Sequence, residues 1–194
     1  MTLLILGLLI FLGLHSVRIV ADPTRAAWVA RLGENRYKGL YSLASLLGFA
    51  LICWGYGLAR QEPVVLWASP RGLSHAAAAL TLPAFILLAA AYVPGNGIRA
   101  RLGHPMLLGT KLWALAHLLA NNTLADALLF GSFLVWAVLC FRAARQRDAA
   151  QGVQRPAGSA GRTGIVVIVG TLAWAAFAFW AHAVLIGVAP FGAR

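Results

Sequence analysis

Two histidines stand inside apolar stretches of this chain, where a titratable side chain is unusual. His117 ends the run HPMLLGTKLWALAH (104–117), and His15 interrupts the run LLILGLLIFLGLHSV (3–17). Ionisable groups within a membrane span are costly and usually face the bundle interior or a cavity. Neutral imidazole is a good iron ligand, and two imidazoles from different helices can hold a b-type haem. The pair predicts haem ligation, although each histidine alone could instead form an interhelical hydrogen bond.

The residues near each histidine suit a flat, anionic cofactor. Trp113 lies one turn before His117, where its indole would form a wall of a flat pocket. Haem propionates need cations near the water. Three cations lie towards the same predicted membrane surface as His15: Arg18, Arg36 and Lys38. We therefore expect these residues, together with Trp113, to contact the haem.

The other ionisable residues of the apolar runs have simpler interpretations. The stem of Lys111 is long enough to reach the membrane interface. His75 and His182 are predicted near the outer membrane boundary, where a histidine can meet water. His104 precedes Pro105 at the expected start of a helix, which is typical of a structural cap.

The sequence lacks several motifs that carry known chemistry. There is no CxxCH, so covalent c-type haem attachment is excluded, and Cys53 and Cys140 are expected to be small buried hydrophobes. There is no HExxH, no cysteine cluster, no glycine-rich phosphate loop and no GxSxG. Paired carboxylates for hydrolysis are also missing.

The composition predicts an all-α membrane protein. Of 194 residues, 61% are hydrophobic and only 11% are charged, whereas about a quarter are charged in soluble proteins. Apolar stretches long enough to cross a bilayer recur along the chain. The net charge of +11 comes from short loops between these stretches rather than from one helix face, which argues against nucleic acid as a partner.

Six spans are expected in a polytopic helix bundle. They are roughly Thr2–Val20, Leu40–Leu58, Ser74–Val93, Met106–Asn121, Leu124–Phe141 and Gly164–Gly187. The first lacks both a basic n-region and a small-residue cleavage site, so we expect an uncleaved helix rather than a signal peptide.

The lysine and arginine distribution predicts the orientation. Twelve basic residues follow or end the first, third and fifth spans, and three lie on the opposite side: Arg60, Arg71 and Arg194. Because the cytoplasmic face carries the excess of basic residues, both termini are expected outside, in the periplasm of a bacterium. The expected location is the bacterial inner membrane.

Composition also suggests three regions. Residues 1–142 would form a five-helix haem-binding core, and the small, polar segment 143–163 a flexible cytoplasmic linker. Residues 164–194 would form a sixth transmembrane helix and a tail.

Four stretches, in order, resemble the NnrU family: GLHSVR (13–18), RLGENRYKGLYSL (31–43), HPMLLGTKLWALAHLLANN (104–122) and LLFGSF (128–133). The resemblance covers about residues 1–142. The family takes its name from a bacterial gene linked to denitrification, and it is similar to the plant zeta-carotene isomerase, an integral membrane haem b protein.

The resemblance implies specific ligands. In the isomerase one iron-ligating histidine stands in an HS motif and the other follows the HP motif in an LAH context. The matching residues here are His15 and His117. The isomerase is understood to lose one ligand on reduction, which opens a site for a cis double bond. Ala114 stands here in place of a cysteine of the isomerase.

The resemblance leaves several functions open. A bis-histidine haem protein would either isomerise a double bond of a lipophilic substrate or act in redox metabolism of nitrogen oxides. A non-enzymatic accessory protein of a respiratory nitric-oxide or nitrite reductase is the main alternative. A membrane methyltransferase of the isoprenylcysteine type shares the HP motif, but RAARQRDAAQG (142–152) lacks the paired Glu-Glu expected there. The sequence does not decide whether the chain is an enzyme.

Overall fold

The computed structural model describes residues 1–68 and 72–191, and helices make up most of these residues. The helices are α1 (Thr2–Val20), α2 (Asp22–Leu32), α3 (Glu34–Ala59), α4 (Leu73–Tyr92), α5 (Gly97–Leu102), α6 (Pro105–Ala120), α7 (Leu124–Ala150), α8 (Ala160–Ala176) and α9 (His182–Ile186). A π-helical segment, Phe177–Ala181, joins α8 to α9. The described residues contain no strand beyond two isolated bridges. The predicted all-α fold is confirmed.

Five helical stretches are long and apolar enough to cross a membrane: α1, α3, α4, α7 and the continuous stretch from α8 to α9. The chain is therefore a multi-pass helical membrane protein. Helix α6 is apolar but has only 16 residues. It is about 24 Å long at the helical rise, against about 30 Å of hydrocarbon. Its role as a sixth span stays a prediction, as does the orientation, and Arg71 and Arg194 lie outside the described residues.

Two helices extend beyond the predicted spans, because the polar residues next to those spans are good helix formers. Helix α3 begins at Glu34, six residues earlier than the predicted span, and Glu34 forms an ion pair with Lys38 one turn on, at 2.6 Å. Helix α7 continues to Ala150, because AARQRDAA (143–150) has high helix propensity. The connection to α8 is thus 151–159, and the first part of the expected linker is helical. Helix α2, between the first two spans, was not predicted.

The described residues form two compact units. Unit 1 contains Met1–Trp67 and Thr123–Trp136, and unit 2 contains the described parts of Ala68–Asn122 and Ala137–Arg194. The division between units therefore falls inside α7, and the regions 1–142, 143–163 and 164–194 that composition suggested stay predictions. A change in hydropathy marks where a membrane span ends, but it does not show which neighbours a long helix packs against.

In unit 1, α1 and α3 pack closely through glycines. A Cβ atom at Gly7 would lie 2.6 Å from the backbone nitrogen of Ile52 and 2.9 Å from the carbonyl oxygen of Gly48. These are backbone atoms, which cannot move aside as a flexible side chain does. Small residues at helix interfaces are typical of membrane proteins, because packing rather than the hydrophobic effect drives association there.

A buried carboxylate fixes the start of α7 in unit 1. Asp126 is 5% exposed, and its oxygens accept hydrogen bonds from the Tyr56 hydroxyl at 2.5 Å and from the Thr123 hydroxyl and amide at 2.6 and 3.0 Å. The amide of Leu124 donates to the carbonyl of Val64 at 2.8 Å. A buried carboxylate is stable only with such donors.

Unit 2 is built around α4, which packs against α6 and α8. Glycines again allow close approach: a Cβ atom at Gly109 of α6 would lie 2.9 Å from the carbonyl oxygen of Ala84, and one at Gly170 of α8 would lie 2.5 Å from the Cα atom of Ile86. The indole nitrogen of Trp174 donates to the Thr81 hydroxyl at 3.1 Å.

The segment after α7 is held to unit 2 by an ionic cluster. Asp148 accepts a hydrogen bond from the Arg155 guanidinium at 2.5 Å and contacts Nε2 of His104 at 2.8 Å. His104 is also the N-cap of α6, with Pro105 directly after it. The predicted position of His104 in the cap of this helix is confirmed, and Asp148 adds a side-chain partner that the sequence did not indicate.

We expect Gly7→Ala to destabilise the protein, because its new methyl group would overlap the backbone of α3. Overpacking of this kind costs about 1–3 kcal/mol. Gly13→Ala, in the same helix, is the matched control, since nothing lies within 4 Å of its Cβ position. Helix propensity alone makes alanine favourable at both sites. Thermal unfolding in detergent should show a lower midpoint for Gly7→Ala only, and equal midpoints would refute the close packing.

Candidate functional site

His15, in α1 of unit 1, has one ring nitrogen committed to its own helix. Its Nδ1 lies 2.7 Å from the carbonyl oxygen of Phe11. Because a carbonyl only accepts, Nδ1 must carry the proton. The lone pair is then on Nε2. Histidines that bind metals commonly donate their other ring N–H to a carbonyl in this way, which fixes the tautomer and the ring orientation.

Aromatic rings surround His15. The ring of Phe11 stacks on the imidazole at 4.2 Å between centroids, and Tyr41 and Trp136 approach it at 5.4 and 6.1 Å. Phe133 contacts Phe11 at 5.9 Å. Such rings provide flat apolar walls, which suit a planar ligand.

A cleft of about 430 Å³ opens beside His15 at the C-terminal end of α1. Its lining combines apolar, hydroxyl-bearing and cationic side chains: Leu14, His15, Val17, Arg18, Arg25, Tyr37, Lys38, Tyr41 and Ser42. Two predicted cofactor contacts, Arg18 and Lys38, are therefore in this cleft. Arg36 is exposed and is not among these lining residues.

The three cations of the cleft differ in their partners. Arg25 donates to Asp22 at 2.8 Å, and this hydrogen bond raises the pKa of the Arg25 guanidinium. Lys38 pairs with Glu34 at 2.6 Å. Within residues 1–68 and 72–191, no carboxylate lies within ion-pair distance of Arg18. Arg18 is thus the cleft cation best able to take an added anion.

Two buried polar atoms of unit 1 have no hydrogen-bond partner within the described part of the chain. They are the indole nitrogen of Trp136 and the hydroxyl of Ser45. A buried donor without a partner costs about 1–3 kcal/mol. The Trp136 ring lies edge-on to His15, so one of these unpartnered groups belongs to a neighbour of the candidate ligand.

His117, near the end of α6 in unit 2, repeats the arrangement of His15. Its Nδ1 donates to the carbonyl of Trp113 at 2.9 Å, which again places the lone pair on Nε2. The Trp113 ring lies 5.2 Å from the imidazole at 48°, and its role as the wall of a cofactor pocket stays a prediction. The carbonyl of His117 accepts a hydrogen bond from the Asn121 side chain at 2.9 Å, which closes the end of the helix.

His182 is the residue that the sequence interpretation missed. Its ring lies 6.5 Å from that of His117, at an interplanar angle of 27°, and its Nδ1 contacts the carbonyl of Val188 at 2.6 Å. Phe177 meets the His182 ring edge-on at 5.7 Å. We expected His182 to meet water, but it is half-buried beside another histidine. The aromatic run FAFWAH (177–182) was the only signal.

Lys111 and His75 complete the set of ionisable residues from the apolar runs. The ammonium group of Lys111 lies 3.9 Å from the centre of the Phe141 ring, a cation–π contact, and its expected reach to the interface stays a prediction. His75 is exposed. Neither residue is close to a second candidate ligand among the contacts of unit 2.

Histidines 15 and 117 thus belong to different units, each with its own aromatic neighbour and a fixed tautomer. Among the described residues there is no group of three or more His, Cys, Asp or Glu side chains that could hold a bare metal ion. A haem needs less from the protein, because its porphyrin supplies four nitrogen donors. Each of the two imidazoles has the donor chemistry of an axial ligand to haem iron.

Comparison with protein families identifies the chain. The family described as "NnrU protein" matches residues 3–190. The chain belongs to the NnrU family. The match includes the last helix, whereas the motifs in the sequence suggested a resemblance over about residues 1–142 only. Neither the search of curated proteins nor the search of solved structures returned a match.

Replacing Trp136 should reveal its unpartnered N–H. In haem-free protein, we expect Trp136→Phe to leave the free energy of unfolding unchanged or to raise it, by up to about 1–3 kcal/mol, because a buried donor without an acceptor is removed. Trp174→Phe is the matched control: it deletes the hydrogen bond to Thr81 and should lower stability by about 1 kcal/mol. The free energy of unfolding is measured by denaturation in detergent. An equal decrease in both variants would contradict this account.

Proposed function

We propose that this protein is a multi-pass membrane haem b protein in which His15 and His117 are the axial ligands of the iron. The observation that carries the proposal is shared by both residues. Each histidine donates Nδ1–H to the carbonyl four residues earlier in its helix, and therefore presents a lone pair on Nε2. Family membership supports the same two residues, through the resemblance to zeta-carotene isomerase.

The surroundings of His15 support a large, flat and anionic ligand. Phe11, Tyr41 and Trp136 provide aromatic surface. The adjoining cleft offers Arg18, which has no carboxylate partner among the described residues, and Lys38. A haem has an apolar macrocycle and two carboxylates, so it needs this combination. Trp113 would provide the corresponding wall beside His117.

Bound haem would supply a redox-active iron, and with one axial position vacant it would also bind a double bond. The chain's own residues would hold the two imidazoles in one tautomer and keep the apolar surroundings dry. On this basis we propose either isomerisation of a lipophilic substrate or a redox role in nitrogen-oxide metabolism, in the bacterial inner membrane. The accessory role beside a respiratory nitric-oxide or nitrite reductase rests on family membership alone.

The haem proposal predicts a specific spectrum. Protein purified in detergent after haem-replete expression should show a Soret band and a low-spin reduced-minus-oxidised difference spectrum. His15→Ala and His117→Ala should each abolish or shift these bands, because each removes one axial nitrogen. His75→Ala is the control, since His75 is exposed, and its spectrum should match that of the wild-type protein.

A wild-type preparation without a Soret band would end the haem proposal. Bands that survive both ligand variants unchanged would show that haem binds elsewhere. Once haem is established, turnover of a lipophilic alkene would favour an isomerase, and co-purification with a reductase subunit without such turnover would favour the accessory role.

The two arginines that the sequence placed near the propionates should behave differently. Arg18 lines the cleft beside His15, whereas Arg36 is exposed and is not a lining residue. We expect Arg18→Ala to weaken haem binding about 2- to 5-fold, as the loss of one partly exposed ion pair implies, and Arg36→Ala to have no effect. Haemin titration of the apoprotein measures the haem affinity of both variants. Equal losses of affinity would show that the cleft is not part of the haem site.

A further inference from the structure

The pairing of His182 with His117 is the feature of unit 2 that the proposed function does not use. The two rings are 6.5 Å apart between centroids and inclined by only 27°. Two metal–nitrogen bonds of about 2 Å each, added to the radii of two imidazole rings, place rings on opposite sides of one metal about 6 Å apart. The observed centroid spacing is close to that value.

Both rings are held in the tautomer that metal binding needs. Nδ1 of His117 donates to the Trp113 carbonyl at 2.9 Å, and Nδ1 of His182 donates to the Val188 carbonyl at 2.6 Å. In each case the acceptor is a carbonyl, so the proton is on Nδ1 and the lone pair on Nε2. A hydrogen-bonded Nδ1–H also raises the basicity of the opposite nitrogen.

The local backbone determines where His182 lies. The π-helical segment Phe177–Ala181 ends directly before it, and the wider turn of a π-helix changes which side chains face a neighbouring helix. Phe177 packs edge-on against the His182 ring at 5.7 Å and also contacts Phe85 of α4 at 5.7 Å. These contacts hold the imidazole of His182 in a half-buried position. A histidine that faced only water would have no such packing partners.

We infer that His182 is a second imidazole donor to a transition metal held by His117. Neutral imidazole suits transition metals of intermediate softness, such as copper, iron and zinc. Two sources provide such a metal: the haem iron of the proposed function, on which the first form of this inference rests, and an aquated divalent ion such as Cu²⁺. One iron has two axial positions, so on haem His182 would take the second position in place of His15, with His117 keeping the first.

The haem source is tested with full-length protein in detergent. His182→Phe keeps an aromatic ring against Phe177 but removes the donor nitrogen, and His182→Ala removes both. If His182 ligates the iron, both variants shift the low-spin spectrum, and added imidazole restores it in His182→Ala. His75→Ala, in the same unit, should leave the spectrum unchanged.

The ion source is tested by titrating haem-free full-length protein with Cu²⁺, followed by electron paramagnetic resonance. The wild-type protein should show nitrogen hyperfine structure from two imidazoles. His117→Ala and His182→Phe should each lower the Cu²⁺ affinity at least about tenfold, and His75→Ala should not.

The outcomes separate this inference from the proposed function. A shift in either experiment that follows His182 supports it, even if no preparation contains haem, in which case only the haem proposal fails. If His182→Phe matches the wild-type protein in both the haem spectrum and Cu²⁺ affinity, the two rings only stack. The inference is then overturned, while a haem held by His15 and His117 still stands.

Discussion

The hydrogen bond from a histidine's Nδ1 to the carbonyl four residues earlier is the interaction on which the candidate chemistry depends. Within an apolar helix, an imidazole has no water to satisfy its N–H, and the preceding turn offers the nearest acceptor. His15 and His117 both use it, as Ser16 does with its hydroxyl. Satisfying one nitrogen in this way leaves the other as a base and orients it away from the backbone. In the proposed function, a polar group that is costly in a membrane thereby serves as a metal donor.

Close helix packing provides the rigid frame for these side chains. Gly7 brings α1 against α3 in unit 1, and Gly109 and Gly170 bring α6 and α8 against α4 in unit 2. In lipid, apolar side chains gain little from leaving their surroundings, so contact area and backbone proximity must hold helices together. The buried Asp126, with three donors from Tyr56 and Thr123, adds a polar anchor at the start of α7.

Charge is distributed so that the cleft beside His15 keeps one cation available. Arg25 and Lys38 each have a carboxylate partner on their own helix. For Arg18 no such partner lies among the described residues, although the three line the same cleft. Local helical spacing explains the difference, because Asp22 and Glu34 stand three and four residues before the cations they pair with. No acidic residue stands three or four residues before Arg18, and Asp22, four residues after it, lies in α2 and pairs with Arg25.

The sequence by itself determined the helical class, the membrane character, the first helix to the residue and the family, because hydropathy and short motifs are local properties of the chain. It also identified His15, His117, Trp113 and Arg18 as residues worth attention. Only the tertiary structure placed Arg18 and Lys38 in one cleft and excluded Arg36 from its lining residues. Only the tertiary structure brought His182 to His117, because contacts between residues 65 positions apart depend on how helices pack and on a π-helical turn. Neither the packing of distant helices nor the position of a π-helical turn can be read from periodicity and composition.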